Sequence, residues 1–256
     1  GSHKGTFGKV LVVAGSTNYT GAPCLAGMAA LRVGAGLVTM AVPNSVYPII
    51  ASKLTETTFL LLPSDIGSIV PDALEILSEN WPSYQVILLG PGIGRDKQTV
   101  QFVHQLVRRR WERGKIGFVG GQEVPLPPLP PMVIDADGLN ALAELPRWWE
   151  ELKGINVLTP HPGEMSRLSG IPAEDINRRR PEIALEKAKE WGQVVVLKGA
   201  YTCIASPEGR VYINPFANPA MATAGSGDVL AGAIAGFMAQ GLEPLKAAVV
   251  GAYIHS

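Results

Sequence analysis

The residues best able to do chemistry lie in the segment Asn218 to Leu230, NPAMATAGSGDVL. Ala222, Ala224, Gly225, Ser226 and Gly227 form a stretch with almost no side chains, and Asp228 follows. VLAGAIAGFMAQ comes next, apolar and alanine-rich, which predicts a buried helix from Val229 to about Gln240. A glycine-rich turn opening a helix offers unpaired backbone N–H groups and the positive end of the helix dipole, a seat for an anion. Asp228 is expected to be kept ionised by that dipole and to accept a proton at neutral pH. The alternative is an Asp that merely caps the helix.

Short apolar, β-branched runs alternate with amphipathic stretches along the chain. Lys9–Ala14, Leu37–Val42, Thr57–Leu62, Val86–Leu89, Met132–Asp135, Asn156–Leu158 and Val194–Leu197 read as strands. Helices are expected over Ala22–Val33, Val46–Leu54, Pro71–Asn80, Thr99–Arg113, Leu139–Leu145, Glu182–Trp191 and Leu245–His255. Tyr201–Ala205 and Arg210–Ile213 flank a Pro207-Glu208-Gly209 turn, as a hairpin does. Glu123–Pro131, EVPLPPLPP, reads as a stiff connector. Buried strand, Gly- or Asp-bearing loop, then helix is the repeated unit. It predicts an α/β fold with a mostly parallel central sheet and helices on both faces, in a single domain over 1–256. Ligands bind outside the carboxyl ends of such strands. The chemistry-bearing loops all fall there: Gly15–Thr20, Gly90–Gly94, Asp135–Asn140, Thr159–Glu164 and Lys198–Thr202.

Lys plus Arg and Asp plus Glu are both 22, so the net charge is zero, which argues against a general nucleic-acid or membrane-surface binder. Cys24 and Cys203 are isolated, without metal-ligand spacing or a disulfide framework, and fit a reducing cytoplasm. The first Gly-rich loop lacks the lysine of a P-loop. Gly34-Ala35-Gly36 lacks the third glycine and following helix of a dinucleotide fingerprint.

KGTFGKVLVVAGS, GAGLVTMAVP, GPGIG, VIDADGLNAL, LTPHPGEM, VVVLKGA and MATAGSGDVLAGAIAGF occur in that order. Together they resemble the ADP- or ATP-dependent NAD(P)H-hydrate dehydratases, of the ribokinase-like superfamily, over nearly the whole chain. The resemblance implies repair of the S epimer of hydrated NADH or NADPH. A nucleotide phosphoanhydride phosphorylates the ring hydroxyl and phosphate is then lost. It implies Asp228 as base, with Gly225, Ser226 and Gly227 holding the phosphoryl group. Lys198, Gly199, Ala200, Tyr201 and Thr202, with Gly227, are implied to bind ADP or ATP. Ala35, Gly92, Gly94, His161 and Asp228 are implied to contact the hydrate, though His161 also reads as a rigid-turn residue. Glu164 either organises Mg2+ through water or is an N-terminal helix charge. Asp135 and Asp137 either face the cleft or cap a helix. Tyr201 and Ala220 depart from the family pattern and put local loop shape in question.

The resemblance further implies chain beyond Ser256 and a fused or partner epimerase domain, as in many bacterial relatives; a homo-oligomer is expected as well. Two rival readings stay open, a superfamily small-molecule kinase for a sugar or hydroxymethylpyrimidine and an inactive nucleotide-binding regulator.

Overall fold

The computed structural model describes residues 7–113, 122–217 and 223–256. Part of the Asn218–Leu230 segment, including Ala220 and Ala222, lies outside the described residues. In chain order the strands are β1 (Lys9–Val13), β2 (Leu37–Pro43), β3 (Thr58–Leu62), β4 (Ser64–Asp65), β5 (Ser68–Ile69), β6 (Val86–Leu89), β7 (Arg110–Arg113), β8 (Gln122–Pro125), β9 (Met132–Ile134), β10 (Val157–Leu158), β11 (Val194–Leu197), β12 (Cys203–Ala205) and β13 (Val211–Ile213). The helices are α1 (Gly21–Arg32), α2 (Tyr47–Ala51), α3 (Ala73–Asn80), α4 (Lys97–Arg108), α5 (Ala136–Ala143), α6 (Pro162–Ser169), α7 (Ala173–Arg178), α8 (Arg180–Trp191), α9 (Ser226–Ala239) and α10 (Pro244–His255).

Nine strands form one sheet in the order β13-β12-β11-β10-β9-β6-β1-β2-β3. From β11 to β3 the pairing is parallel, and the hairpin β12–β13 is added antiparallel. The sheet is buried on both sides, which is why its inner strands are continuous runs such as VLVV and VVVL. One core, under α3, α4, α5 and α8, holds Leu11, Trp81, Phe102, Leu139 and Trp191. The other, under α1, α9 and α10, holds Val10, Ala26, Val196, Ile234 and Ala248.

The helix bearing Asp228 is set by shape. Gly232 and Gly236 face α1, where a Cβ would stand 2.2 Å from the Ala26 carbonyl oxygen and 2.8 Å from that of Ala30. Only hydrogen fits there, so α9 and α1 pack backbone to backbone. Burial of Leu230 and Ile234 then contributes roughly 1.5–3 kcal/mol each. The first turn of α9 projects past the carboxyl edge of the sheet.

Several expectations are corrected. The helix expected over Thr99–Arg113 ends at Arg108, where Arg109 takes a left-handed φ of 55°. The next residues pair as β7 with β8, so the connector expected from Glu123 begins as a strand. The helix expected from Leu139 starts at Ala136, and that expected from Val229 starts at Ser226. Helix α6 was foreseen only as the start that Glu164 would charge, without bounds, and α7 was not foreseen. Both are short and follow prolines, which read as loop signals.

Candidate active site

The parallel ladder continues past the strand ends and sets the site's geometry. Asp135 N–H donates to the Leu89 carbonyl (3.0 Å), Thr159 N–H to Ile134 (3.2 Å) and Lys198 N–H to Pro160 (2.8 Å). Asp135, Thr159 and Lys198 therefore follow neighbouring strands at one edge. Their side chains meet: Asp135 Oδ1 accepts from Lys198 Nζ at 2.6 Å and from Thr159 Oγ1 at 2.7 Å. Asp135 is 1% exposed. A buried carboxylate needs such partners, because unpaired it would be too costly to desolvate.

Glu164 completes the cluster. Its Oε2 accepts from the His161 N–H (2.8 Å) and lies 3.6 Å from Lys198 Nζ. The His161 ring returns the bond: Nδ1 accepts from the N–H groups of Gly163 (2.9 Å) and Glu164 (3.3 Å). The pair caps α6 reciprocally, with Pro162 fixing the first helical position. Glu164 and His161 thus do serve as a helix-start charge and a turn residue, and both still border the lysine. Burial works against the Lys198 charge, but Asp135 and Glu164 outweigh it and hold its pKa above the ordinary value.

The start of α9 covers this cluster. Gly225 caps it with φ 87°, and Asp228 sits in the first turn. A Cβ on Gly227 would lie 3.2 Å from Lys198 Nζ and 3.8 Å from Asp135 Oδ2. Of the three N–H groups expected to hold an anion, that of Ser226 donates to the Thr223 carbonyl at 3.3 Å. The Ser226 carbonyl accepts from His255 Nε2 at 2.8 Å. Asp228 corrects an expectation. Its pKa is pushed up to about 6, first by burial and then by the Asp135 charge, with Lys198 pulling the other way. The dipole does not dominate; the carboxylate is still mostly ionised at pH 7 and close to the range of an efficient general base.

A cavity of about 560 Å³ opens over these groups, lined by Lys198, Gly199, Ala200, Thr202, His161 and the Gly225–Asp228 turn, among others. Asn214 and Phe216, at the end of the β12–β13 hairpin, and His255 of α10 also line it. None of these three was anticipated, because they flank the motifs or lie far from them in sequence. Tyr201 takes φ 55° and is exposed.

The Gly90–Gly94 loop lies at the same sheet edge but outside this cavity. Gly94 N–H donates to Asp137 Oδ2 at 3.1 Å, and a Cβ on Gly92 would meet Tyr19 at 2.6 Å. Asp137 Oδ1 accepts from Asn140 Nδ2 (3.3 Å), whose own Oδ1 accepts from Arg167 Nε (2.8 Å). Asp137 therefore ties the loop to α5. Ala35 is not brought to this edge. It is buried just before β2, at the amino end of the sheet. Among the described residues no group of three or more His, Cys, Asp or Glu could hold a metal ion, and no helix is long and apolar enough to cross a membrane.

The mostly parallel sheet, its antiparallel hairpin and the Gly-rich helix start over a buried lysine are those of a ribokinase-like α/β protein. A ribokinase-like superfamily protein of Enterococcus faecalis superposes with a TM-score of 0.77 at 27% identity, over 100% of this chain and 79% of that one. A profile of the family described as NAD(P)H-hydrate dehydratase matches residues 10–256, and the chain belongs to that family. The chain is 50% identical over 254 residues to the bifunctional NAD(P)H-hydrate repair enzyme of Moorella thermoacetica, covering 99% of this chain and 44% of that protein. It thus spans less than half the length of the bifunctional relative. It is 34% identical to the ADP-dependent (S)-NAD(P)H-hydrate dehydratase of Bacillus subtilis, over 99% of this chain and 80% of that protein. A crystal structure of the ADP/ATP-dependent NAD(P)H-hydrate dehydratase from Bacillus subtilis, co-crystallised with ATP and Mg2+, gives a TM-score of 0.76 at 32% identity, over 99% and 80% of the two chains.

Proposed function

We propose that this chain dehydrates the S epimer of NADH or NADPH hydrate at the expense of ADP or ATP. The observation that carries the reading is Asp228 in the first turn of α9, its pKa pushed up to about 6, at the helix start whose Gly227 abuts the Lys198–Asp135 pair. The hydroxyl at carbon 6 of the hydrated ring attacks the terminal phosphorus. An O–P bond forms, the anhydride bond breaks, and AMP leaves when ADP is used. Asp228 takes the hydroxyl proton. The ring nitrogen's lone pair then expels phosphate from carbon 6, and a proton leaves carbon 5 to restore the reduced ring. An ordinary kinase product has no such electron push and stops at the ester.

Lys198–Thr202 and Gly227 hold the nucleotide in this reading, and the helix start holds the phosphoryl group. Such transfers are catalysed mainly by positioning and charge stabilisation. His161, Gly92, Gly94 and Ala35 are the residues proposed for the hydrate. His161 borders the cavity and the two glycines lie along the same sheet edge, whereas Ala35 is buried at the opposite edge. The carboxylate donors fit magnesium only in an outer role: Glu164 already accepts from the His161 N–H and faces Lys198. The ion would be held by phosphate oxygens and water, with Glu164 behind the water, and would neutralise phosphate charge. A fused or partner epimerase domain, assembly of several copies and a cytoplasmic location belong to the same proposal.

The test is incubation with NADH hydrate and ADP or ATP. Phosphate should appear in step with reduced nicotinamide. Accumulation of a stable phosphoester of another alcohol, with the hydrate untouched, would make the protein a kinase.

A further inference from the structure

Lys198 stands apart from the other residues of the nucleotide loop. Gly199, Ala200 and Thr202 line the cavity with it, but only the Lys198 side chain also reaches back under α9, where it is 17% exposed. Its ammonium has three N–H donors. One is taken by Asp135 Oδ1 at 2.6 Å, and Glu164 Oε2 lies 3.6 Å away, at ion-pair and not hydrogen-bond distance. That leaves donor capacity for an occupant of the cavity that Lys198 lines. Where it would reach is fixed by Gly227: a Cβ built there lies 3.2 Å from Nζ. The ammonium is therefore beside the helix start that seats the anion and close enough to Asp228 for each charge to act on the other. A lysine that only gripped the far part of a nucleotide would have no reason to stand beside the base.

Asp135 is built to hold this lysine. It is fixed by its N–H to Leu89 and by the Thr159 hydroxyl, and its carboxylate opposes the ammonium at the shortest distance in the cluster. Without the lysine a carboxylate at that depth would repel a phosphate.

We infer that Lys198 is a catalytic cation contacting the transferred phosphoryl group, and that Asp135 is the positioning residue that aims it; this rests on the dehydratase reading above. The lysine carries charge that develops on the phosphoryl oxygens as the anhydride bond breaks. Preorganised donors of this kind are each worth about 10²–10³ in rate.

The test uses the full chain with NADH hydrate and ADP. Lys198→Ala should lower kcat by about a hundredfold or more, while the Kd for ADP changes less than about tenfold. Added ethylammonium should restore at least about tenfold of the lost rate in Lys198→Ala, because Asp135 and Glu164 still present a cation site. In the double variant Lys198→Ala/Asp135→Asn the same amine should give no gain, which a merely structural Asp135 would not cause. Asp135→Asn alone should lower kcat with little change in ADP affinity. If Lys198→Ala does not fold, Lys198→Met, close to isosteric, supplies the same split between kcat and Kd. A Kd raised as much as kcat/KM falls, with kcat held, would make Lys198 a nucleotide anchor and overturn the inference. Equal rescue of single and double variants would overturn the role of Asp135. Absence of turnover in the unaltered protein would instead overturn the dehydratase reading itself, and the inference with it.

Discussion

The two ends of α9 are built from the same residue types for opposite purposes. Near its start, Gly225 takes a left-handed φ of 87° where a Cβ would meet Leu25 at 2.3 Å, a Cβ on Gly227 would crowd Lys198 Nζ at 3.2 Å, and the residues there are partly exposed. Further along, Gly232 and Gly236 keep side chains away from α1, and the surrounding residues are buried. Gly227 leaves room beside the Lys198 ammonium at the cavity, whereas Gly232 and Gly236 leave room for another backbone. Charge follows the same division. The interior end has no charged residue from Val229 to Ala239, whereas the open end carries Asp228 beside Asp135 and pays in desolvation and repulsion. One helix thus joins a stabilising half to a destabilising one. Substitutions at the two ends should move stability and activity in different directions.

Asp228→Asn should have the largest effect. A positioned general base contributes typically ~10²–10⁴-fold, so turnover should fall by that order, while ADP affinity barely changes. The fold should become more stable at neutral pH. With a folded pKa of about 6 against an ordinary 3.8, the carboxylate opposes folding fully above pH 6 and not at all well below 4, where both states are protonated. Discounted for its partial exposure, the gain at pH 7 should be on the order of 1–2 kcal/mol, seen as a higher Tm, and it should vanish near pH 4. Loss of turnover without that pH-dependent gain would mean that the environment of Asp228 is not the one described.

Gly232→Ala should do the reverse. The added Cβ meets the Ala26 carbonyl at 2.2 Å, and backbone cannot swing aside as a side chain can. Overpacking of this kind costs roughly 1–3 kcal/mol, or several degrees in Tm. Rate per folded molecule should stay within about threefold if α9 shifts as a body. A stable variant with turnover lost would show that the interior end controls the chemistry directly.

The pH profile sharpens the contrast without a mutation. The logarithm of kcat/KM should fall with unit slope below about pH 6 as Asp228 takes a proton, since a protonated carboxyl cannot serve as base. An acid limb near pH 4 would indicate that binding of substrate or ion cancels the effect of Asp135 and burial.

The parallel sheet, most strand positions and the loops at its carboxyl edge could be read directly from short β-branched runs ending in Gly or Asp. So could the Gly225–Asp228 turn, because small residues before an Asp and an apolar helix have few other uses. The Asp135–Lys198 pair was not legible. It joins residues 63 positions apart, and only the register of β9, β10 and β11 brings them together. The sign of the Asp228 shift was missed for the same reason: the dipole is local in sequence, whereas the burial that chiefly raises the pKa, and the Asp135 charge that adds to it, arise only in the folded chain. The extent of α6 and the whole of α7 were hidden because a proline at the first helical position, Pro162, or at the N-cap, Pro172, looks like a loop signal. Ala35 shows the converse, in which a motif is visible but its place in the fold, before β2 at the amino end of the sheet, is not.

His161 should give the smallest effect and needs two variants to read. Its ring has two jobs that an alanine would remove together. Nδ1 accepts from Gly163 and Glu164 at the start of α6, and the rest of the ring borders the cavity. Losing an N-cap costs typically about 1 kcal/mol, which could loosen Glu164 and mimic a binding defect. Burial, aided by Lys198 and Arg167 and opposed by Glu164, holds the imidazole pKa below its usual value, so at pH 7 the ring is neutral. With Nδ1 accepting, the proton sits on Nε2, 3.4 Å from Glu164 Oε1 and available to a ligand. His161→Ala should therefore raise the KM for the hydrate by roughly 5–10-fold, as expected for one hydrogen bond of about 1 kcal/mol, and the Kd for ADP by less. His161→Asn keeps a capping acceptor but not the reach of the ring. It should recover the Tm lost in the alanine variant while leaving the hydrate KM high. Recovery of both by asparagine would reduce His161 to a helix cap, and the contact with the hydrate would then have to come from elsewhere along the edge.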